Sequence, residues 1–194
     1  TAVGVRSYSA NAADLELDNY AKLLQYSLYF YDANMCGDKV GETSAFSWRD
    51  NCHTGDVALG GFHDAGDAIK CGQTAGFTAS TLGWGYYEFR DSYKKTGQDD
   101  HIETILRYFN DYLMKCTFRD ENGEVVAHCY QVGDGDIDHA YWNSPEVDTM
   151  ARPAFFLTGD KPQTDYVASA AASLAINYLN FKDTDPDYAA QSLD

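Results

Sequence analysis

Basic residues are scarce in this 194-residue chain: 14 Lys and Arg stand against 30 Asp and Glu, for a net charge of −16. So acidic a chain repels phosphate backbones, which argues against a nucleic-acid partner. No apolar run approaches the roughly 20 residues that a membrane helix needs, so no membrane partner is expected. No basic segment followed by an apolar one opens the chain, so no export leader is legible. The five cysteines, Cys36, Cys52, Cys71, Cys116 and Cys129, include no C-x-x-C pair. A zinc site is therefore not signalled, and no metal ligand is assigned. The odd count leaves at least one thiol without an intrachain partner; reduced cysteines and one bridge both remain open. Also absent are a G-x-S-x-G elbow, an H-E-x-x-H pair and a phosphate-binding glycine loop.

What is present is an ordinary globular mixture, 44% hydrophobic and 23% charged, long enough for one domain with its own core. Aromatics reach 14%, with fifteen Tyr, ten Phe and three Trp. Most will be core. A ring with a polar tip also suits a cleft wall, and an aromatic face suits the apolar C–H face of a sugar.

Residues 1–17 show no period and read as an N-terminal arm. Asp18 is placed to cap a helix through Asp32, with Tyr20, Leu23, Leu24, Ser27, Leu28 and Tyr31 on one face. Residues 35–73 are rich in Gly, Asp, Asn and Ser and read as a long loop. A second helix is expected over 76–94, with Leu82, Tyr86, Phe89 and Tyr93 inward. Gly83 and Gly85 are costly within a helix, so close packing is expected at both. A third helix starts at Asp99 or Asp100 and turns Ile102, Ile105, Leu106, Phe109 and Leu113 inward. Glu121-Asn122-Gly123 predicts the turn of a hairpin over 117–130. Residues 131–160 read as a second long loop. Thr164 is placed to cap an alanine-rich helix with Val167, Ala170, Ala171, Leu174 and Tyr178 inward. Asp185-Pro186 opens a last helix, expected to run through Asp194 and so to be incomplete.

The densest polar cluster is Gly60-Gly61-Phe62-His63-Asp64-Ala65-Gly66-Asp67. Two carboxylates three residues apart on a glycine-rich turn can point into one space and deprotonate a water, one as base and one as helper. Spacing alone fits a solvated turn equally well. A second cluster, Gly133 to Trp142, contains D-x-D-x-D. It fails as a calcium loop, because His139 stands where Gly is needed and Pro145 where the bidentate acid should be. Trp142 as a sugar platform and His139 as a hydrogen-bond partner suit it; a turn with a buried Trp is the plain alternative.

Gly60 to Asp67 with Lys70 resembles the G-G-[aromatic]-x-D-A-G-D-x-x-K signature of the family 9 glycoside hydrolases. Tyr20 to Tyr31, Ser47-Trp48-Arg49, and Gln131-Val132-Gly133-Asp134-Gly135 with Asp138-His139, Trp142, Pro145-Glu146 and Arg152-Pro153 follow in the same order. Two positions depart from the signature: His63 replaces a frequent aromatic, and Ala68-Ile69 a common His-Val. The resemblance implies an all-α (α/α)6 barrel, of which residues 18–194 would be the N-terminal portion, about half. It implies an endo-β-1,4-glucanase that hydrolyses cellulose with inversion, Asp67 as base, Asp64 as helper, and His139 and Trp142 against glucose units. The family's acidic Glu and its H-x-R segment lie late and are expected outside this chain, as is a structural calcium; no cofactor is expected within it. Glu146 matches an early family position and is not the acid. A β-glucan partner, secretion and appended carbohydrate-binding or docking modules go with that expectation. A non-catalytic glucan-binding scaffold, or a hydrolase of xyloglucan, mixed-linkage glucan or a chitin-derived sugar, stays open. Half a barrel should also leave apolar helix faces uncovered and the isolated segment prone to aggregate.

Overall fold

Asn19 opens the first helix, α1 (Tyr20–Asn34), by accepting the N–H of Lys22 on its side-chain oxygen at 3.0 Å. That satisfies one of the free donors every helix N-terminus carries. The computed structural model describes residues 19–193, so the expected arm over 1–17 and the cap at Asp18 lie outside the described residues. Leu28 is buried on α1 as expected, but Tyr20 and Leu23 are 68% and 60% exposed. Helix α1 packs against α4 (Asp99–Lys115) on one side, and Tyr20, Leu23, Tyr26 and Phe30 stand on another.

Helix α4 carries the centre of the core. Ile102, Ile105, Leu106, Phe109 and Leu113 are all at most 2% exposed. Each is worth roughly 1.5–3 kcal/mol of burial. Between a short helix α2 (Val40–Thr43) and α4 runs α3 (Gly72–Thr96), longer than expected and closed by Gly97 in the left-handed conformation at φ 65°. Its main partner is α6 (Thr164–Phe181). A Cβ on Gly83 would lie 2.8 Å from Ile176 Cγ2, which is the close packing expected there. Gly85 differs: its nearest neighbour would be 3.9 Å away, so no close approach explains it. Phe89 carries non-helical dihedrals (φ −117°, ψ 27°), leaves the Leu82–Tyr86–Tyr93 line and is 63% exposed.

On α6, Ala170 is buried but Val167 is exposed, and no side chain caps its N-terminus; Thr164 is its first residue, after Gln163. Asp185 caps α7 (Pro186–Gln191) through Tyr188 N, as its Asp-Pro pair predicts. The helix ends at Gln191, with Ser192 N bonded to Ala189 O, and does not run through Asp194.

The two segments read as loops contain two strands of a four-stranded antiparallel sheet, β1 (Lys70–Cys71) and β4 (Ala154–Thr158). The predicted hairpin is β2 (Thr117–Arg119) and β3 (Val125–Val132), turned at Gly123. Strand β3 continues past it and pairs with β1 and β4. The register Lys70↔Val132 sets the end of the first loop beside the start of the second. Bridges Met35↔Phe62 and Gly37↔Cys52 hold the first loop down. Gly61 lies there at φ +80°, where a Cβ would come 2.7 Å from the Tyr112 ring, so no other residue fits.

Candidate active site

The Asp64–Asp67 turn leaves the bridge at Phe62 and re-enters the sheet at Lys70. Asp64 N donates to Ile69 O at 2.8 Å and closes it. Thr74, in the first turn of α3, donates its hydroxyl to Asp64 Oδ1. Asp67 Oδ1 accepts Ile69 N at 3.1 Å, and its Oδ2 lies 3.0 Å from His139 Nε2. Ala65 and Gly66, at the tip, are exposed.

His139 comes from the segment after β3, the strand paired with β1. Past Val132 the chain turns at Gly133 (φ +95°), whose N–H donates to Pro153 O. Asp134 then caps α5 (Gly135–Asp138) by accepting Asp136 N and Ile137 N. This one turn of helix aims Asp138 inward and exposes His139. The D-x-D-x-D carboxylates are thus divided: Asp134 caps, Asp136 is exposed, and Asp138, 3% exposed, accepts Ala68 N on both oxygens at 3.1 and 3.2 Å. The Asp67 hydrogen bond raises the His139 imidazole above its ordinary value.

Under the turn lies a chain of buried charges. Lys70, 1% exposed, places Nζ 2.9 Å from Asp56 Oδ2, donates to Ala58 O and Gly60 O, and sits 4.6 Å from the Tyr112 ring centre. Arg152 holds both Asp56 oxygens, at 2.7 and 3.1 Å, and gives its Nη1 to Ala68 O at 2.9 Å. Burial alone would raise the Asp56 carboxyl; Arg152 and Lys70 outweigh it and hold the group below the ordinary range.

Asp67, Asp138, Tyr141 and Trp142 line one opening of about 80 Å³. Asp64, Thr74, Phe30 and Tyr31 line a second of the same size, and His63 belongs to both. Trp142 is 92% exposed, so it is not a core ring. A far larger apolar groove of about 790 Å³ lies elsewhere, between the sheet and α6, and includes Val125, Val126, Leu157 and Leu174. It contains none of the motif carboxylates, so its size does not make it the reactive centre.

The structure therefore gathers Asp67, His139 and Trp142, with Asp64 on the adjoining face of the same turn. Glu146 is committed elsewhere. Its carboxylate takes Arg49 Nε at 2.6 Å and the Ser144 hydroxyl; these outweigh burial and keep it below the ordinary range. Three supports escaped sequence reading: Thr74, Asp138 and Arg152. Asp138 and Arg152 lie in segments that match the family, but neither match signals a support for the turn; Thr74 lies in no motif.

Also unread was a donor set behind the turn. Cys36, Cys52, His53 and His63 each offer one ligand atom, all within 4.8 Å of one another. Two thiols and two imidazoles suit a tetrahedral Zn²⁺. The hydrogen bond from Cys36, helped by both imidazoles, pulls Cys52 far below the ordinary thiol range, and the proton they share raises Cys36. His53 Nε2 lies 2.8 Å from the buried carboxylate of Asp148, an outer partner of the kind that orients metal-bound imidazoles. His63 directly precedes Asp64, so a bound ion would brace the turn.

Comparison with known proteins places these features. The profile of the family described as Glycosyl hydrolase family 9 matches residues 20–194. Endoglucanase B of Cellulomonas fimi is 38% identical over 97% of this chain, which spans 18% of its length. The catalytic domain of Clostridium thermocellum CelT superposes with a TM-score of 0.87 at 54% identity, over 90% of this chain and 42% of that one. The cellulase Cel9M of C. cellulolyticum, solved in complex with cellobiose, gives 0.82 at 38% identity, over 90% and 41%. The chain thus spans about two fifths of these solved proteins, and its helices are the matching part of an (α/α)6 barrel.

Proposed function

The chain belongs to glycosyl hydrolase family 9, and from that premise we propose that it carries the water-activating part of a cellulase site. In this reading the enzyme hydrolyses internal β-1,4-glucosidic bonds of a cellulose-type glucan with inversion. The observation that carries it is the Asp64–Asp67 turn: two carboxylates anchored from below and open above, with His139 and Trp142 beside the second.

Asp67 is the general base. Asp67 lines the opening with Trp142, its Oδ2 beside His139, and a carboxylate there takes a proton from water as the water attacks the anomeric carbon. Asp64 holds the second hydrogen of that water, and Thr74 orients Asp64. Trp142 stacks on a glucose face and His139 bonds a hydroxyl. Inversion requires an acid about 6.5–9.5 Å from the base, leaving room for the water. Glu146, paired with Arg49, is unsuited to that role. The family resemblance puts the acidic Glu late in the catalytic domain, so in this reading the leaving oxygen takes its proton from a Glu that is not among these 194 residues. An insoluble polymer must be met outside the cell, which places the enzyme there.

In the full-length enzyme, Asp67→Ala should leave less than about 1% of wild-type turnover on carboxymethyl-cellulose with the fold intact, since removing a general base costs on the order of 10²–10⁴-fold. Near-normal turnover would remove Asp67 from the role. Proton NMR of fresh product should show the α-anomer first; a β-anomer first rules out inversion.

A further inference from the structure

We propose that Asp138 and Arg152 are positioning residues of the reaction: they grip the two polar groups of Ala68 and so set the aim of the neighbouring Asp67 carboxylate. The proposal rests on Asp67 acting as the base.

The turn has little else to fix it at that end. Asp67 Oδ1 bonds Ile69 N, a contact within the turn itself, and Oδ2 bonds an exposed imidazole. Nothing lies within 4 Å of a Cβ built on Gly66, so the tip stands clear of the body. Ala68 is where the turn meets the rest of the molecule. Its N–H enters both oxygens of Asp138, and its C=O receives Arg152 Nη1 at 2.9 Å.

Both grips are rigid for separate reasons. Asp138 is buried at the end of α5, whose start is locked by the Asp134 cap. Arg152 follows the 3-10 turn Pro145–Val147 and precedes β4, and its side chain is only 9% exposed. The Asp56 carboxylate holds its guanidinium in two places, and Lys70 holds Asp56. Lys70 is itself two residues beyond Ala68. The circuit Asp138, Ala68, Arg152, Asp56, Lys70 therefore closes on the turn it supports. A misplacement of about 1 Å at a reacting group costs on the order of 100-fold in rate, so this circuit acts on turnover without touching sugar.

The test uses the full-length enzyme and a soluble cello-oligosaccharide, with kcat and KM measured per folded molecule as judged by circular dichroism. Asp138→Ala should lower kcat about 100-fold and leave KM within about twofold. Asp138→Asn keeps one oxygen for the Ala68 N–H and should recover kcat to within about tenfold of wild type. Arg152→Lys keeps the charge but loses the fork, and should lower kcat at least about tenfold with KM unchanged. Wild-type kcat in folded Asp138→Ala or Arg152→Lys overturns the proposal. So does a raised KM at unchanged kcat, which would mark a sugar contact, and so does an Asn variant no better than Ala. Where Asp138→Ala fails to fold, Arg152→Lys decides by the same readout. Asp67→Ala runs in parallel: activity there removes the base assignment itself, whereas its loss beside a fully active Asp138→Ala removes only the grip on Ala68.

Discussion

His139 Nε2 lies 3.0 Å from Asp67 Oδ2, so the imidazole expected to meet sugar is also the neighbour of the expected base. The Asp67 hydrogen bond raises His139 above its ordinary value of 6.5. Below that raised midpoint the carboxylate faces a cation, and above it a neutral ring. Titration of His139 followed by NMR should give a midpoint above 6.5 in the wild type and a return toward it in Asp67→Asn. An unchanged midpoint in the variant would show that the pair does not form in solution.

Asp56 ties together two buried cations, and its removal should be felt throughout the first loop. Asp56→Asn strands Lys70 and Arg152 with one neutral partner, at an expected cost of about 3–5 kcal/mol in urea unfolding. The carboxyl is held below its ordinary 3.8, so its contribution is complete above that pH and is lost as pH falls through the lower folded value. A variant within about 1 kcal/mol of wild type would mean that the buried charges are satisfied without it.

The Cys36, Cys52, His53 and His63 set should bind about one equivalent of zinc, which elemental analysis of the purified enzyme reads directly. Cys52→Ser should lose the metal. Stripping with a strong chelator should lower the melting temperature by about 5 °C or more, the shift a loss of about 2 kcal/mol gives in a domain of this size. Metal-free protein with an unchanged melt would reduce the set to a hydrogen-bonded cluster centred on Cys36 and His53.

His128 predicts a separate acid weakness. Burial disfavours its charged form and lowers it below the ordinary 6.5. The unfolded chain therefore binds that proton first, and stability declines as pH falls below 6.5. His128→Gln should flatten the fall in melting temperature that begins as pH drops below 6.5, a start well above that of Asp56 at 3.8. A decline of the same slope in the variant would assign it to other groups.

How legible these features were in the chain depended on whether their cause was local. The helical spacing of Ile102, Ile105, Leu106, Phe109 and Leu113 needs only one helix and one core, and all five are buried. Asn122-Gly123 encodes its own turn. The Asp64–Asp67 pair is visible as a motif, and only its resemblance to the family signature favours a catalytic turn over a solvated one. Strand β4 was not visible, because its partner β3 already looked complete as half of a hairpin; only the long-range register Cys129↔Phe156 reveals it. The zinc-type donors are worse cases. Cys36 and Cys52 are sixteen residues apart and His53 and His63 ten, spacings that match no metal pattern until the bridges at Met35 and Gly37 fold the loop. Phe89 leaves the inward line because its backbone is non-helical, which regular helical spacing does not encode.

The two-residue strand β1 also draws a line between what can and cannot drift. Everything on its sheet side, from Lys70 through Val132 to Asp138, is locked into the Asp67 turn. Tyr141 and Trp142 lie past that line and are exposed, tied back to it by the bond from Tyr141 N to Asp138 O at 2.9 Å. Between the bond that ties Tyr141 to Asp138 and the one that ties Ser144 to Val147, residues 142 and 143 are therefore where the chain can lengthen with least disturbance to the Asp67 turn.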